Sequence, residues 1–311
     1  MNKKVLYSLK SPYRDDFEIT GYSFGSGKKS VCIVGALRGN EIQQLYICSQ
    51  LIKELEKLDK NGDIQGNNEI LVIPCVNNYS MNISKRFWAL DNTDINRMFP
   101  GYEKGETTQR IAASIFEKIQ GYSYGIQFTS FYMPGDFIPH IRIMSTGYEN
   151  SNLADLFGLK YVVLRNPKPY DTTTLNYNWQ LWDTCAFSFY TNATDEIDEK
   201  SADEAVVSVL RFLARMGIIK FNCHNGYIST LIKEEQLVTI KIDTPGIYRR
   251  LKKPGDRVEK GEVIAEIIHP YEGNIISKVY SNADGIVFFA YKSPTVMENT
   301  VVYKIIKTIY E

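Results

Sequence analysis

Two periodicities divide the first two thirds of this chain. Residues 30–34 and 69–74 are short, β-branched runs bounded by turn residues, which is the pattern of buried strands. Between them, residues 41–58 repeat apolar side chains at helical spacing, with Ile42, Leu45, Leu51, Ile52 and Leu55 on one face. Residues 59–68 are polar and contain glycine, and they read as the returning loop. A second helix is predicted over 106–119, opened by acidic Glu106 just after Gly105. Residues 138–144 and 161–164 read as further strands. A helix over 200–216 turns Ala202, Val206, Val209, Leu210 and Leu213 inward and stops at Gly217. The Tyr- and Asn-rich stretch 170–182 reads as a loop, in which Trp179 and Trp182 either cover a site or simply pack. Strands alternating with amphipathic helices predict a layered α/β domain.

Past Gly217 the pattern changes. Residues 227–311 are short strands punctuated by turns at Pro245-Gly246, Pro254-Gly255-Asp256, Lys260-Gly261 and Ala283-Asp284-Gly285, with no convincing helix. The chain therefore divides into an α/β domain over 1–222 and a small all-β domain over 223–311.

Composition narrows the function classes. The chain has 311 residues, 44% of them hydrophobic, and its 36 basic residues balance 36 acidic ones, so the basic face of a nucleic-acid binder is not expected. No stretch reaches the ~18 apolar residues of a membrane span, and the N-terminus lacks the apolar run of a signal peptide. The five cysteines are scattered, without a Cys-x-x-Cys pair, as suits reduced thiols. These features point to a soluble cytoplasmic protein. Only His140, His224 and His269 could supply imidazole to a metal, and they are not spaced as a helical zinc pair.

The most specific segment is Asp94-Ile95-Asn96-Arg97-Met98-Phe99-Pro100-Gly101. It sets an amide and a guanidinium side by side, and a guanidinium can hold a carboxylate bidentately at fixed geometry. A polar turn closed by Pro-Gly is the plainer alternative. The block resembles the D-x-N-R-x-F-P-G signature of the succinylglutamate desuccinylase/aspartoacylase family, zinc hydrolases related to carboxypeptidase A. The resemblance implies a carboxypeptidase-like three-layer α/β/α domain with a mixed sheet. It further implies that Asn96 and Arg97 bind substrate. Arg86, in Lys85-Arg86-Phe87-Trp88, falls near the family's oxyanion-stabilising arginine, with an ordinary surface arginine as the alternative.

The same resemblance marks departures at the metal. The family's G-x-H-G-N-E run, whose His and Glu bind zinc, corresponds here to Gly35-Ala36-Leu37-Arg38-Gly39-Asn40-Glu41, which keeps Glu41 but has Arg38 in place of His. The family's third ligand, the His of Asp-Leu-His, corresponds to Gln127 in Gly125-Ile126-Gln127. Its catalytic Glu corresponds to Tyr190. An arginine has no lone pair to give a metal, and an amide oxygen is a poor zinc ligand. Without a carboxylate at position 190, a metal-bound water would also lack its general base. The degenerate trio Arg38, Glu41 and Gln127 is therefore not expected to hold zinc, and no cofactor is expected.

The C-terminal run from Gly246 to Glu262, with Ala283-Asp284-Gly285-Ile286-Val287, resembles lipoyl/biotinyl-type β-sandwich domains. Lys278 lacks the Met-Lys-Met or Asp-Lys-Ala setting of a carrier lysine, which implies a structural rather than a modified domain. Two functional readings follow. In the first, the chain binds a small carboxylate or N-acyl amino acid through Asn96, Arg97, Arg86 and Arg38, without zinc hydrolysis, and acts as a homo-oligomer or beside an active paralogue. In the alternative, a metal held by Glu41 with Gln127 or His140 cleaves an amide or ester next to a carboxylate. A purely structural protein with a vestigial cleft is a third class. His140 itself, at the start of a strand, reads as a core or surface histidine before it reads as one pointing into the cleft.

Overall fold

The computed structural model describes residues 1–308, so the expected boundary at residue 311 lies outside the described residues. The chain forms two compact units. The first comprises Met1–Ser130, Pro139–Tyr190 and Thr194–Leu231, and the second Phe131–Ile138, Thr191–Ala193 and the residues from Ile232 onward.

The first unit is built from β1 (Asn2–Leu9), β2 (Phe17–Gly25), β3 (Lys28–Ala36), α1 (Ile42–Asn61), β4 (Asn68–Cys75) and the short α2 (Asn78–Met81). Then come α3 (Thr107–Ile119) and β5 (Tyr124–Thr129), and, after β6 (Gly135–Phe137) of the second unit, β7 (His140–Met144) and β8 (Tyr161–Arg165). The remaining elements are α4 (Leu175–Leu181), β9 (Cys185–Tyr190) and α5 (Glu199–Arg215), and β10 (Thr230–Lys233) begins in this unit and ends in the second. The strands make one mixed sheet in the order β1-β2-β4-β3-β5-β9-β7-β8-β10, with β4, β3, β5 and β9 mutually parallel.

Alternation along the central strands sorts side chains to two faces. Ile33, Ile126, Phe128, Phe187 and Phe189 pack beneath Ile47, Leu51 and Leu55 of α1 and Val209, Phe212 and Leu213 of α5. Cys32, Val34 and Ile73 pack on the other side against Ile111 and Ile115 of α3 and Leu175 and Trp179 of α4. The result is a sheet between two helical layers. Fully burying side chains such as Leu51 or Phe212 contributes about 1.5–3 kcal/mol each.

The inward face of α5 is the predicted one, since all five expected residues are buried, and Gly217 closes the helix at φ +69°. On α1 the face is rotated: Gln44, Ile47, Cys48, Leu51 and Leu55 are buried, while Ile42, Leu45 and Ile52 are only half-buried. Two glutamines turn inward because backbone groups meet them. Gln43 donates to the Asp198 carbonyl at 3.0 Å, and Gln44 reaches the Thr129 carbonyl at 3.5 Å. The loop expected over 170–182 is corrected to a short 3-10 turn followed by α4. The Thr174 hydroxyl caps α4 by accepting the Tyr177 N–H, and Trp179, fully buried, packs against Gly125.

The second unit holds β6 and β11 (Leu237–Lys241), β12 (Gly246–Arg250), β13 (Arg257–Val258), β14 (Val263–Ile268), β15 (Ile275–Tyr280), β16 (Gly285–Tyr291), β17 (Thr295–Val296) and β18 (Val301–Lys307). They form two antiparallel sheets, β11-β18-β16-β13 with β6 on β16, and β15-β14-β12-β17. Both sheets contribute to one core, with Tyr248 and Ile264 from one and Val287, Tyr303 and Ile305 from the other. Gly255 and Gly261, at φ +93° and +86°, occupy left-handed turn positions that favour glycine. Lys278 lies inside β15 opposite Glu266 and not at a hairpin tip.

Candidate functional site

Because β3, β5 and β9 run parallel, their C-terminal ends open at one edge of the sheet, where such folds collect polar groups. The turn leaving β3 carries Glu41 at the start of α1, fully buried. One of its carboxylate oxygens accepts the backbone N–H groups of Leu37 and Arg38, both at 3.0 Å. The other accepts Arg38 Nη1 at 3.1 Å and the hydroxyl of Ser130. Arg38, 4% exposed, gives its remaining edge to Asp94, through Nε at 3.1 Å and Nη2 at 2.9 Å. Asp94 also caps the 3-10 turn Ile95–Arg97 by accepting the Asn96 N–H at 3.0 Å.

One guanidinium thus ties together the ends of β3, α1 and the Asn-Arg turn. Burial opposes the charge on Arg38, but Asp94 and then Glu41 outweigh it and raise its pKa above the ordinary arginine value. Arg86 extends the network by donating to Ser130 Oγ at 3.2 Å. Burial, followed by repulsion from Arg38, lowers its pKa.

The donor set does not fit zinc. Arg38 is a committed cation, and Glu41 already accepts four hydrogen bonds. The residue of β5 expected to complete the trio, Gln127, is buried in register with Val34 and Ser188 and forms no hydrogen bond to Arg38 or Glu41. The side chain that meets Glu41 is Ser130, three residues further on. A guanidinium, a hydroxyl and a carboxylate do not make the three-ligand site that zinc needs. Among the described residues, no group of three His, Cys, Asp or Glu side chains could hold a metal ion.

Tyr190, expected at the position of the family's Glu, closes the end of β9. Its ring stacks on the fully buried His140 at 5.0 Å and 8°, and Arg142 lies 4.4 Å from the ring centre. Arg142 Nη2 approaches His140 Nε2 at 3.4 Å. Sequence reading missed Arg142, although an arginine between Ile141 and Ile143 in a strand was an available signal. His140 belongs to this buried polar face of the sheet. Asn176 of α4 joins it by a hydrogen bond to Ser188. Removing the cap with Thr174→Ala is expected to cost about 1 kcal/mol in urea denaturation. An unchanged midpoint would mean that the cap does not hold α4.

The Asn-Arg pair is anchored rather than free-standing. Asn96 Oδ1 accepts the Leu175 N–H at 3.1 Å, which leaves its Nδ2 to donate elsewhere. Arg97 uses a single nitrogen, Nη1, on the Tyr170 carbonyl at 2.8 Å and on Asp171 at 3.4 Å. Asp171, 1% exposed, is also paired with Arg165. The Arg97 side chain is 32% exposed, its guanidinium lies 5.5 Å from the Tyr170 ring centre, and its Nε and Nη2 form no hydrogen bond among the described residues. An oriented fork with one open edge can accept a carboxylate in two parallel hydrogen bonds.

Residues 27–130 match the model of the succinylglutamate desuccinylase/aspartoacylase catalytic domain. No curated protein matches the chain significantly. Among solved structures, a succinylglutamate desuccinylase/aspartoacylase from Rhodobacter sphaeroides superposes with a TM-score of 0.80 at 16% identity, covering 97% of this chain and 95% of its own. A succinylglutamate desuccinylase from Silicibacter sp. TM1040 gives 0.81 at 15% identity, covering 97% and 92%. An aspartoacylase family protein from Mesorhizobium loti gives 0.77 at 19% identity, covering 96% and 91%. At these identities the likeness to the solved structures is one of fold. Residues 27–130 therefore resemble that catalytic domain, on a fold that the chain shares with these solved structures along nearly its whole length.

Proposed function

We propose that this protein is a carboxylate-binding member of the succinylglutamate desuccinylase/aspartoacylase family in which an internal ion network stands in place of the zinc site that the resemblance implies. The supporting observation is the bridging of Glu41 and Asp94 by Arg38. The ligand is a small carboxylate or N-acyl amino acid. It is held by the open edge of Arg97 and the Asn96 amide, with Arg86 positioned by Ser130 for a second anionic group. Arg38 contributes to this cleft through architecture, since its own charge is matched by Glu41 and Asp94. The protein then acts as a ligand sensor or as the partner of an active paralogue. Five free cysteines support a reducing, cytoplasmic setting.

The metal part of this reading has a constructive test. Arg38→His with Ser130→His would place two imidazoles beside Glu41 and release that carboxylate from two of its hydrogen bonds. Elemental analysis is expected to find less than about 0.2 zinc per chain in the parent and stoichiometric zinc in the double variant, in line with three-ligand sites. Stoichiometric zinc in the parent would reject the proposal in favour of a metal-dependent hydrolase.

A further inference from the structure

A cavity of about 630 Å³ opens in the first unit between the β1–β2 loop, α2 and the turn at Trp88, and it shares no residue with the cleft described above. Its size falls within the range of small-molecule sites. Aromatic rings supply the walls. Phe17 meets Trp88 edge-on at 5.2 Å, Tyr79 lies 5.3 Å from Trp88, and Trp88 itself is 2% exposed. Ring faces of this kind attract cations. The chain already uses one so: the Arg14 guanidinium lies 4.8 Å from the Tyr79 ring centre and donates to its hydroxyl.

The charges around the rings point the same way. Asp16 is engaged by Lys10 at 2.7 Å and by the Ser11 N–H at 3.0 Å, which lowers its pKa through the Lys10 contact first. Asp15 and Glu18 also line the cavity, and Glu18, after Asp16, adds to the negative field at Lys10. The half-buried rings of Phe17 and Tyr79, backed by the nearly enclosed Trp88, together with the carboxylates of Asp15 and Glu18 favour a positive ligand and disfavour an anion.

We propose that this cavity is a binding site for a small organic cation, an amine or guanidine on a short alkyl chain, separate from the carboxylate cleft. Its charge lies between the aromatic walls and the carboxylates of Asp15 and Glu18. Arg14 occupies the Tyr79 face when no ligand is bound and competes with the incoming cation. The inference goes beyond the carboxylate-binding reading and does not depend on it.

Agmatine, which carries a guanidinium and an amine, serves as the probe in calorimetric titration, with pentanoate as the anionic control. Agmatine is expected to bind the parent, and Asp15→Asn with Glu18→Gln to weaken it at least ~10-fold, the loss of charge-assisted contacts. Arg14→Ser is expected to tighten binding roughly two- to five-fold by freeing the ring face. Arg97→Ala should leave agmatine affinity unchanged. All these positions are exposed or half-exposed, and circular dichroism verifies that each variant folds. No agmatine binding at about 10 mM, pentanoate binding as tight as agmatine, or equal agmatine affinity in the charge-neutral variant would overturn the site.

Discussion

Arg38→Ala is expected to lower the free energy of unfolding by about 3–5 kcal/mol, the usual cost of removing one partner from a buried ion pair. That is a large share of the ~5–15 kcal/mol that holds a domain folded. The cost comes from what remains behind. Glu41 would lose one charged hydrogen bond and Asp94 its bidentate partner, with both carboxylates still largely enclosed, at 1% and 15% side-chain exposure. Arg38→Lys should recover little, because an ammonium is a point charge and cannot present the planar fork that spans two carboxylates. A double-mutant cycle with Asp94→Asn isolates the contact: the double variant should lose less than the two single losses added together. Urea denaturation reads both effects. Additive losses, or a loss under about 1 kcal/mol for Arg38→Ala, would mean that the network does not lock the site.

Much of the fold was legible because its elements bury one clean face. The strands at Lys28–Ala36 and Asn68–Cys75 and helix α5 follow directly from runs of apolar residues at the right period. Where polar side chains turn inward, the pattern misleads. Gln43 and Gln44 rotate the face of α1 because distant carbonyls accept from their amides, and those partners are 155 and 85 residues away in sequence. Helix α4 was hidden by its asparagines, of which Asn178 bonds locally to the Thr172 and Thr174 carbonyls and Asn176 to Ser188 of β9. The edge strand β1 is exposed over Asn2–Val5, and Leu6 and Tyr7, adjacent rather than alternating, are the residues that pack against the core.

The candidate site divides in the same way. The Asn-Arg turn and Arg38 were visible as residue types in two short runs, Asp94–Gly101 and Gly35–Glu41. Their neighbours were not, because Asp94–Arg38 and Glu41–Ser130 are contacts across 56 and 89 residues. Gln127 could be told apart from Ser130 only by geometry. The pleat buries Gln127 beside Ser188, whereas Ser130, just past the end of β5, reaches Glu41.

Arg97→Ala is expected to weaken binding of N-acyl amino acids and dicarboxylates roughly ten- to hundred-fold, corresponding to about 1.5–3 kcal/mol for hydrogen bonds to a charged group. The lower end applies if water screens the partly exposed Arg97 in the complex. Arg97→Lys should restore only part of the loss, since Nη1 on Tyr170 and Asp171 orients the fork and a lysine has none to orient. The most direct measurement is calorimetric titration of N-succinylglutamate and N-acetylaspartate into parent, Arg97→Ala and Arg97→Lys, each with and without a metal chelator and with product analysis of the mixture. A carboxylate-binding cleft without zinc chemistry gives binding that the chelator leaves unchanged, that falls in the order parent, lysine variant, alanine variant, and that releases no free amino acid. Binding abolished by the chelator together with metal-dependent hydrolysis, or equal affinity in all three proteins, would contradict it.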